Sequence, residues 1–209
     1  MDHYKETAHT WNKLANIYQD KFMDLDLYNE TYDFFCDKIL KENASILEIG
    51  CGPGNITRYL LSKRPDFNIF GTDVAPNMIE LASRNCPQAK FEIMDARDIG
   101  QMNEKYDGIV CGFCLPFLTP EAVEKLISDC THLLNVNGII YISFMDDDPE
   151  KSEFKTGSTG DKVFFHFHTL ENLESLLKVH GFIDNKIFRV EYSRPEGADI
   201  HTILIAVRT

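Results

Sequence analysis

No stretch of this 209-residue chain is apolar for long enough to span a bilayer. The opening residues, Met1-Asp2-His3-Tyr4-Lys5-Glu6, are polar and carry no secretory apolar segment. Positive charge is scarce: 21 Lys and Arg against 33 Asp and Glu leave a formal net charge of -12. Surfaces that hold nucleic acid or anionic membranes need positive fields, so neither partner is expected. Repeats and low-complexity tracts are absent. The cysteines Cys36, Cys51, Cys86, Cys111, Cys114 and Cys130 are scattered through predicted helices and strands, and no second pair with zinc spacing exists. A reduced, cytoplasmic setting without a metal fits them better than a disulfide framework. No G-x-x-x-x-G-K-[ST] sequence is present, so a nucleoside triphosphate cradle is unsupported.

What is present is organised around one turn. The apolar run Ile46 to Ile49 leads into Gly50-Cys51-Gly52-Pro53-Gly54, and a helical pattern starts at Asn55. Glycine lets a ligand approach bare main chain, and a helix N-terminus presents free N–H groups. The spacing departs from the dinucleotide fingerprint G-x-G-x-x-G, because Asn55 stands where the third glycine belongs.

The rest of the chain frames that turn. Residues 4 to 41 read as two aromatic-rich helices broken around Leu25-Asp26-Leu27, and residues 1–41 are expected to form a helical lid. Residues 42–209 then alternate strand and helix. Strands are expected at 45–49, 67–72, 89–94, 106–111 and 139–144, with Asn137-Gly138 turning the chain into the last of these. Thr119-Pro120-Glu121 and Thr169 are helix starts, and Gly181 is a helix stop. An insertion at about 146–168 begins with the solvated run Asp146-Asp147-Asp148. Within it, Lys162 to His168 should be a strand that pairs with Glu153 to Thr156. The final strands, 182–192 and 202–208, are joined by Arg194-Pro195-Glu196-Gly197 and should be antiparallel. Five β–α alternations predict an α/β fold with a doubly wound, mostly parallel sheet. A ligand then sits at the carboxyl ends of the strands. Gly50 to Gly54, Asp73, Asp95 and Cys111 to Phe113 all fall at such ends. Asp73 is placed to accept ribose hydroxyls or to cap the helix that starts near Pro76, and Asp95 to accept from an exocyclic amine or to serve a turn or cap.

These residues resemble the class I S-adenosylmethionine-dependent methyltransferases over about residues 40 to 209. Leu47-Glu48-Ile49-Gly50-Cys51-Gly52-Pro53-Gly54 is similar to that family's first motif, and Gly71-Thr72-Asp73-Val74-Ala75-Pro76-Asn77-Met78 to its acidic second-strand motif. Met94-Asp95-Ala96-Arg97-Asp98-Ile99 and Tyr106-Asp107-Gly108-Ile109-Val110-Cys111 match the next two. The resemblance implies a Rossmann-like sheet of seven strands with the last reversed, and S-adenosylmethionine as cofactor, leaving as S-adenosylhomocysteine. Carried over, Gly50, Cys51, Gly52 and Gly54 hold the methionine portion and Glu48 approaches its amino group. Asp73 takes the ribose, Val74 and Met78 flank the adenine, and Asp95 and Ala96 contact its edge. Cys111 and Phe113 line the floor beside the sulfonium.

The acceptor is expected to be a small molecule methylated at oxygen or nitrogen. The Asn/Asp-Pro-Pro-aromatic loop of members that methylate adenine, cytosine or glutamine is absent from Gly112 to Phe117. Phe113, Pro116 and Phe117 suggest an apolar pocket, roofed by Trp11, Tyr18, Phe164, Phe165 and Phe167. His166, His168 and His201 are candidate general bases. The chain is expected to act as a monomer or homodimer. The alternatives are a non-catalytic protein that binds the same cofactor, and a nicotinamide oxidoreductase, against which Asn55 counts.

Overall fold

The computed structural model describes residues 3–157, 159–194 and 197–209. Helices α1 (His3–Phe22) and α2 (Asn29–Lys38) come first. Five parallel strands follow: β1 (Ser45–Ile49), β2 (Asn68–Asp73), β3 (Lys90–Ile93), β4 (Tyr106–Cys111) and β5 (Leu134–Met145). Helices α3 (Asn55–Lys63), α4 (Pro76–Asn85) and α5 (Pro120–Leu133) alternate with them. A hairpin, β6 (Glu153–Thr156) with β7 (Lys162–Phe165), stands apart from the main sheet. Helix α6 (Leu170–Val179) leads to β8 (Phe182–Arg194) and β9 (Gly197–Arg208). The seven-stranded sheet has the order β3-β2-β1-β4-β5-β9-β8, and β9 runs antiparallel to both neighbours. The order reverses between β1 and β4, so the crevice there is the switch point where α/β sheets take ligands.

Strand β1 is buried on both faces, as a central parallel strand should be. Leu47 and Ile49 point into a core built with α5 and α6, while Ile46 points into a second core built with α2 and α3. Helix α2 is a structural layer of that second core: Tyr32, Phe35, Cys36 and Ile39 pack with Tyr141 and Ile205. Helix α1 takes a different place, running from β7 to α4 across the carboxyl ends of the strands.

Several boundaries differ from those read in the sequence. Strand β5 starts at Leu134 rather than Ile139, with Leu134 paired to Tyr106. Asn137, at φ +63°, is absorbed as an irregularity inside the strand rather than forming a turn before it. Strand β7 pairs with β6 as expected but stops at Phe165. The His166 N–H leaves the hairpin to bond the Pro116 carbonyl at 2.7 Å. Helix starts were legible to the residue: Thr119 and Thr169 accept from the Ala122 and Asn172 N–H groups. Of the β8–β9 connection, Pro195 and Glu196 lie outside the described residues. No helix among the described residues is long and apolar enough to cross a membrane.

Phe35 is fully buried between α2 and the sheet. Phe35→Ala should therefore lower stability by about 3–5 kcal/mol in urea unfolding. Trp11→Ala, in the half-buried α1, should cost less than half of that.

Candidate cofactor and acceptor cavity

The carboxyl ends of β1, β2 and β4 open into a cavity of about 590 Å³. Its floor starts with Gly50 (φ +69°) and Gly52 (φ +53°), in backbone that only glycine adopts without strain. A Cβ on Gly50 would approach the Cys114 Cβ to 3.1 Å. Asp73, at the end of β2, accepts from the Gly52 N–H at 2.9 Å and the Ala75 N–H at 2.8 Å. Burial pushes its carboxyl pKa up, against those backbone hydrogen bonds. Val74, Met78, Met94 and Ala96 continue the wall.

The cavity gathers most of the residues singled out in the sequence. Gly50, Cys51, Gly52, Asp73, Val74, Met78 and Ala96 line it, as do Trp11, Tyr18, Phe113, Phe117, Phe165, Phe167 and His201. The remaining candidates sit elsewhere, each for a physical reason. Gly54 caps α3 in the left-handed region, and a Cβ there would lie 3.3 Å from the Ala82 Cα, so it serves the packing of α3 on α4. Cys111 is fully buried in the sheet core; its partner in the C-x-x-C, Cys114, is the one that reaches the cavity. A hydrogen bond with Cys111, together with burial, holds the Cys114 thiol well above its usual pKa. Pro116 is buried within a short 3-10 turn, Leu115–Phe117. Phe164 stacks on His3 instead, with ring centroids 4.9 Å apart.

Asp95 is already occupied. Its carboxylate accepts from the Tyr4 hydroxyl at 3.0 Å and from the Arg97 backbone and guanidinium, and the guanidinium sits 3.8 Å from the Tyr4 ring centroid. His168 is buried with Nε2 3.0 Å from the Leu115 carbonyl oxygen, and His166 packs on Phe164, so neither lines the cavity. Burial lowers the pKa of both. Tyr4, Tyr28, Met94, Cys114, Met145 and Tyr192 line the cavity without having been singled out. Tyr4 and Tyr28 belong to the two aromatic-rich helical segments, where an apolar stripe reads first as core, so only the tertiary fold separates core from cavity wall. Among the described residues, no cluster of His, Cys, Asp and Glu could hold a metal ion.

Glu48 lies under the glycine turn rather than on the cavity wall. It is 1% exposed; one carboxylate oxygen accepts from the Thr57 hydroxyl and the other, Oε1, has no partner. Burial pushes its pKa up to about 8, and the nearby Asp73 carboxylate adds to that. The folded state then binds a proton more tightly than the unfolded state, so stability falls as pH rises from about 4.5 to about 8. Glu48→Gln should flatten this fall and make the variant the more stable form above the window. Thermal unfolding across pH compares the two directly.

Comparison with known proteins agrees with this geometry. A family pattern described as a methyltransferase domain matches residues 46–138. The putative methyltransferase 235L of Invertebrate iridescent virus 6 is 32% identical over 113 residues, covering 54% of this chain and 40% of that protein. The tRNA N(3)-methylcytidine methyltransferase Mettl2 of Drosophila melanogaster is 24% identical over 225 aligned positions, covering 95% of this chain and 69% of that protein. The chain thus spans less than half the length of the viral relative. Among solved structures, the 1,6-didemethyltoxoflavin-N1-methyltransferase of Burkholderia thailandensis, bound to its acceptor and S-adenosylhomocysteine, superposes with a TM-score of 0.72 at 19% identity. That match covers 98% of this chain and 88% of that one, and at this identity it speaks for the fold. The glycine turn, the acid after β2 and the strand order thus accompany a match of residues 46–138 to a methyltransferase domain, on a fold similar to that of S-adenosylmethionine-dependent methyltransferases.

Proposed function

We propose that this chain transfers a methyl group from S-adenosylmethionine to a small-molecule acceptor, at oxygen or nitrogen. The observation that carries the reading is one continuous cavity joining the glycine turn and Asp73 to an aromatic end. The residues fit the cofactor. The bare main chain at Gly50 and Gly52 accommodates an amino-acid tail, and Asp73 offers two carboxylate oxygens to a ribose. Val74 and Met78 supply apolar contact for a purine. Glu48, with its unpartnered oxygen beneath the turn, offers an acceptor to an ammonium, whose charge would favour the ionised carboxylate. A contact from Asp95 to the purine amine requires Tyr4 to give up its hydrogen bond.

The bound sulfonium supplies an already activated methyl group, so the protein's part is alignment and exclusion of water. Trp11, Phe113, Phe117 and Phe165 provide that dry wall: Trp11 meets Phe117 at 5.3 Å between centroids, and Phe117 meets Phe165 at 6.0 Å. Helix α1 closes the roof. Its Thr10 hydroxyl donates to the Lys162 carbonyl at 2.9 Å, Lys13 pairs with Asp161 at 2.7 Å, and Asn12 bonds Asn77 at 2.8 Å.

The name of the fly relative raises a second acceptor class, a tRNA base. The net charge of -12 opposes it, because a polyanion would meet like charge.

Two measurements test the proposal. In calorimetry, Asp73→Ala should weaken S-adenosylmethionine and S-adenosylhomocysteine binding by roughly 10- to 100-fold, the scale of hydrogen bonds to a charged group. With labelled cofactor, label should pass to small metabolites and not to unmodified tRNA. Undiminished binding by Asp73→Ala, or label on tRNA alone, would refute it.

A further inference from the structure

The acceptor end of the cavity holds a polar pair that alignment and water exclusion do not need. Tyr28 lies in the link between α1 and α2, and His201 lies on β9 opposite Met145 of β5. The fold brings Tyr28 Oη and His201 Nδ1 to 2.6 Å, with both residues buried. The His201 ring lies nearly parallel to Tyr28, at 5.9 Å and 13°, and to Tyr192, at 5.4 Å and 12°. Phe113 stands edge-on to His201 at 4.9 Å and lies 5.2 Å from Tyr28. It is held there in the left-handed region, at φ +56°, by donating its N–H to Ser143 Oγ at 2.7 Å. Strain in a non-glycine residue persists only where the surroundings over-determine it, and such residues gather at functional sites. Tyr28, Phe113, Tyr192 and His201 all line the same cavity as Gly50 and Asp73. Lys21 and Asp199 line it too, and the Lys21 ammonium lies 5.9 Å from the Tyr192 ring centroid.

Parallel ring faces favour a flat guest, which packs against them by offset stacking. A hydrogen-bonded phenol and imidazole beside such a guest form a path for a proton. Acidity narrows the acceptor further. A carboxylate needs no base. An aliphatic hydroxyl, close in acidity to water at about 15.7, is far beyond an imidazole of about 6.5. A ring hydroxyl near 10 can be deprotonated as the methyl transfers.

Resting on the methyl-transfer reading above, we propose that the acceptor is a flat aromatic compound attacked through a ring hydroxyl, with Tyr28 relaying that hydroxyl's proton to His201. As the oxygen–methyl bond forms and the carbon–sulfur bond breaks, the hydroxyl proton passes to Tyr28 Oη. The Tyr28 proton passes to His201 Nδ1. The products are a methyl ether, the neutral thioether and an imidazolium, which then returns its proton to water. Tyr28 is the catalytic residue and His201 the group that acts through it.

The test uses the whole chain with labelled S-adenosylmethionine and a panel of phenols, naphthols and hydroxyquinolines of graded acidity, at mildly alkaline pH. Members of the panel should be methylated. Tyr28→Phe and His201→Gln should each lower kcat/KM by about 100-fold or more for the weakly acidic hydroxyls. For 4-nitrophenol, already ionised, the loss should shrink to a few-fold. Cofactor affinity, measured by calorimetry, should be unchanged in both variants and serves as the check on folding. Tyr28→Phe keeps the ring and decides the matter even if His201→Gln misfolds. Equal losses across the panel would make the pair structural and overturn the proposal, as would a wild-type chain that binds cofactor but methylates none of the panel. A wild-type chain that binds no cofactor would instead sink the methyl-transfer reading itself.

Discussion

The carboxylate of Asp73 ties the ligand-binding edge together. One oxygen takes the N–H of Gly52, from the turn after β1, and the other takes the N–H of Ala75, just before α4. The Cys51 N–H meanwhile reaches the Thr72 carbonyl at 2.9 Å. Two parallel strands that are neighbours in the sheet are thus also laced together beyond their ends. The glycine turn has no side chains to hold it in shape at Gly50, Gly52 or Gly54, so this lacing fixes where its bare main chain lies. Hydrogen bonds to a charged group are the stronger kind, which suits a single side chain to that task.

Two carboxyl groups, Glu48 and Asp73, lie close together at that edge. Glu48 sits beneath the turn with Asp73 close enough to raise its pKa, and no basic side chain counts among the causes that oppose the rise. Only the Thr57 hydroxyl and backbone do so. A buried carboxylate with an unpartnered oxygen is destabilising in an empty chain. The same arrangement would suit a guest bearing positive charge, which favours the ionised carboxylate.

Much of the fold could be read from the sequence because its signals are local. Apolar runs bounded by glycine or acids marked the strands, and Thr119 and Thr169 marked helix starts that the structure reproduces. The extra length of β5 was hidden because Asn137 at positive φ looks like a turn, whether or not the chain reverses there. The cavity wall was legible where it is main chain and strand ends, as at Gly50, Gly52 and Asp73. It was not legible where long-range packing chooses between neighbours. Cys111 and Cys114 are three residues apart, yet one is core and the other wall. Likewise Asp95 carries the right residue type at the right strand end, but Tyr4, 91 positions earlier, occupies it.

The two cavity thiols bear on a hazard specific to alkylating chemistry. Cys51 and Cys114 are among the residues that line the cavity where a reactive sulfonium is proposed to lie, and sulfur is among the best acceptors of a methyl group. Only the ionised form attacks, however. Burial suppresses that form at Cys51, and the bond to Cys111 suppresses it at Cys114. Both thiols would thus be kept poor acceptors of a methyl group from the proposed sulfonium.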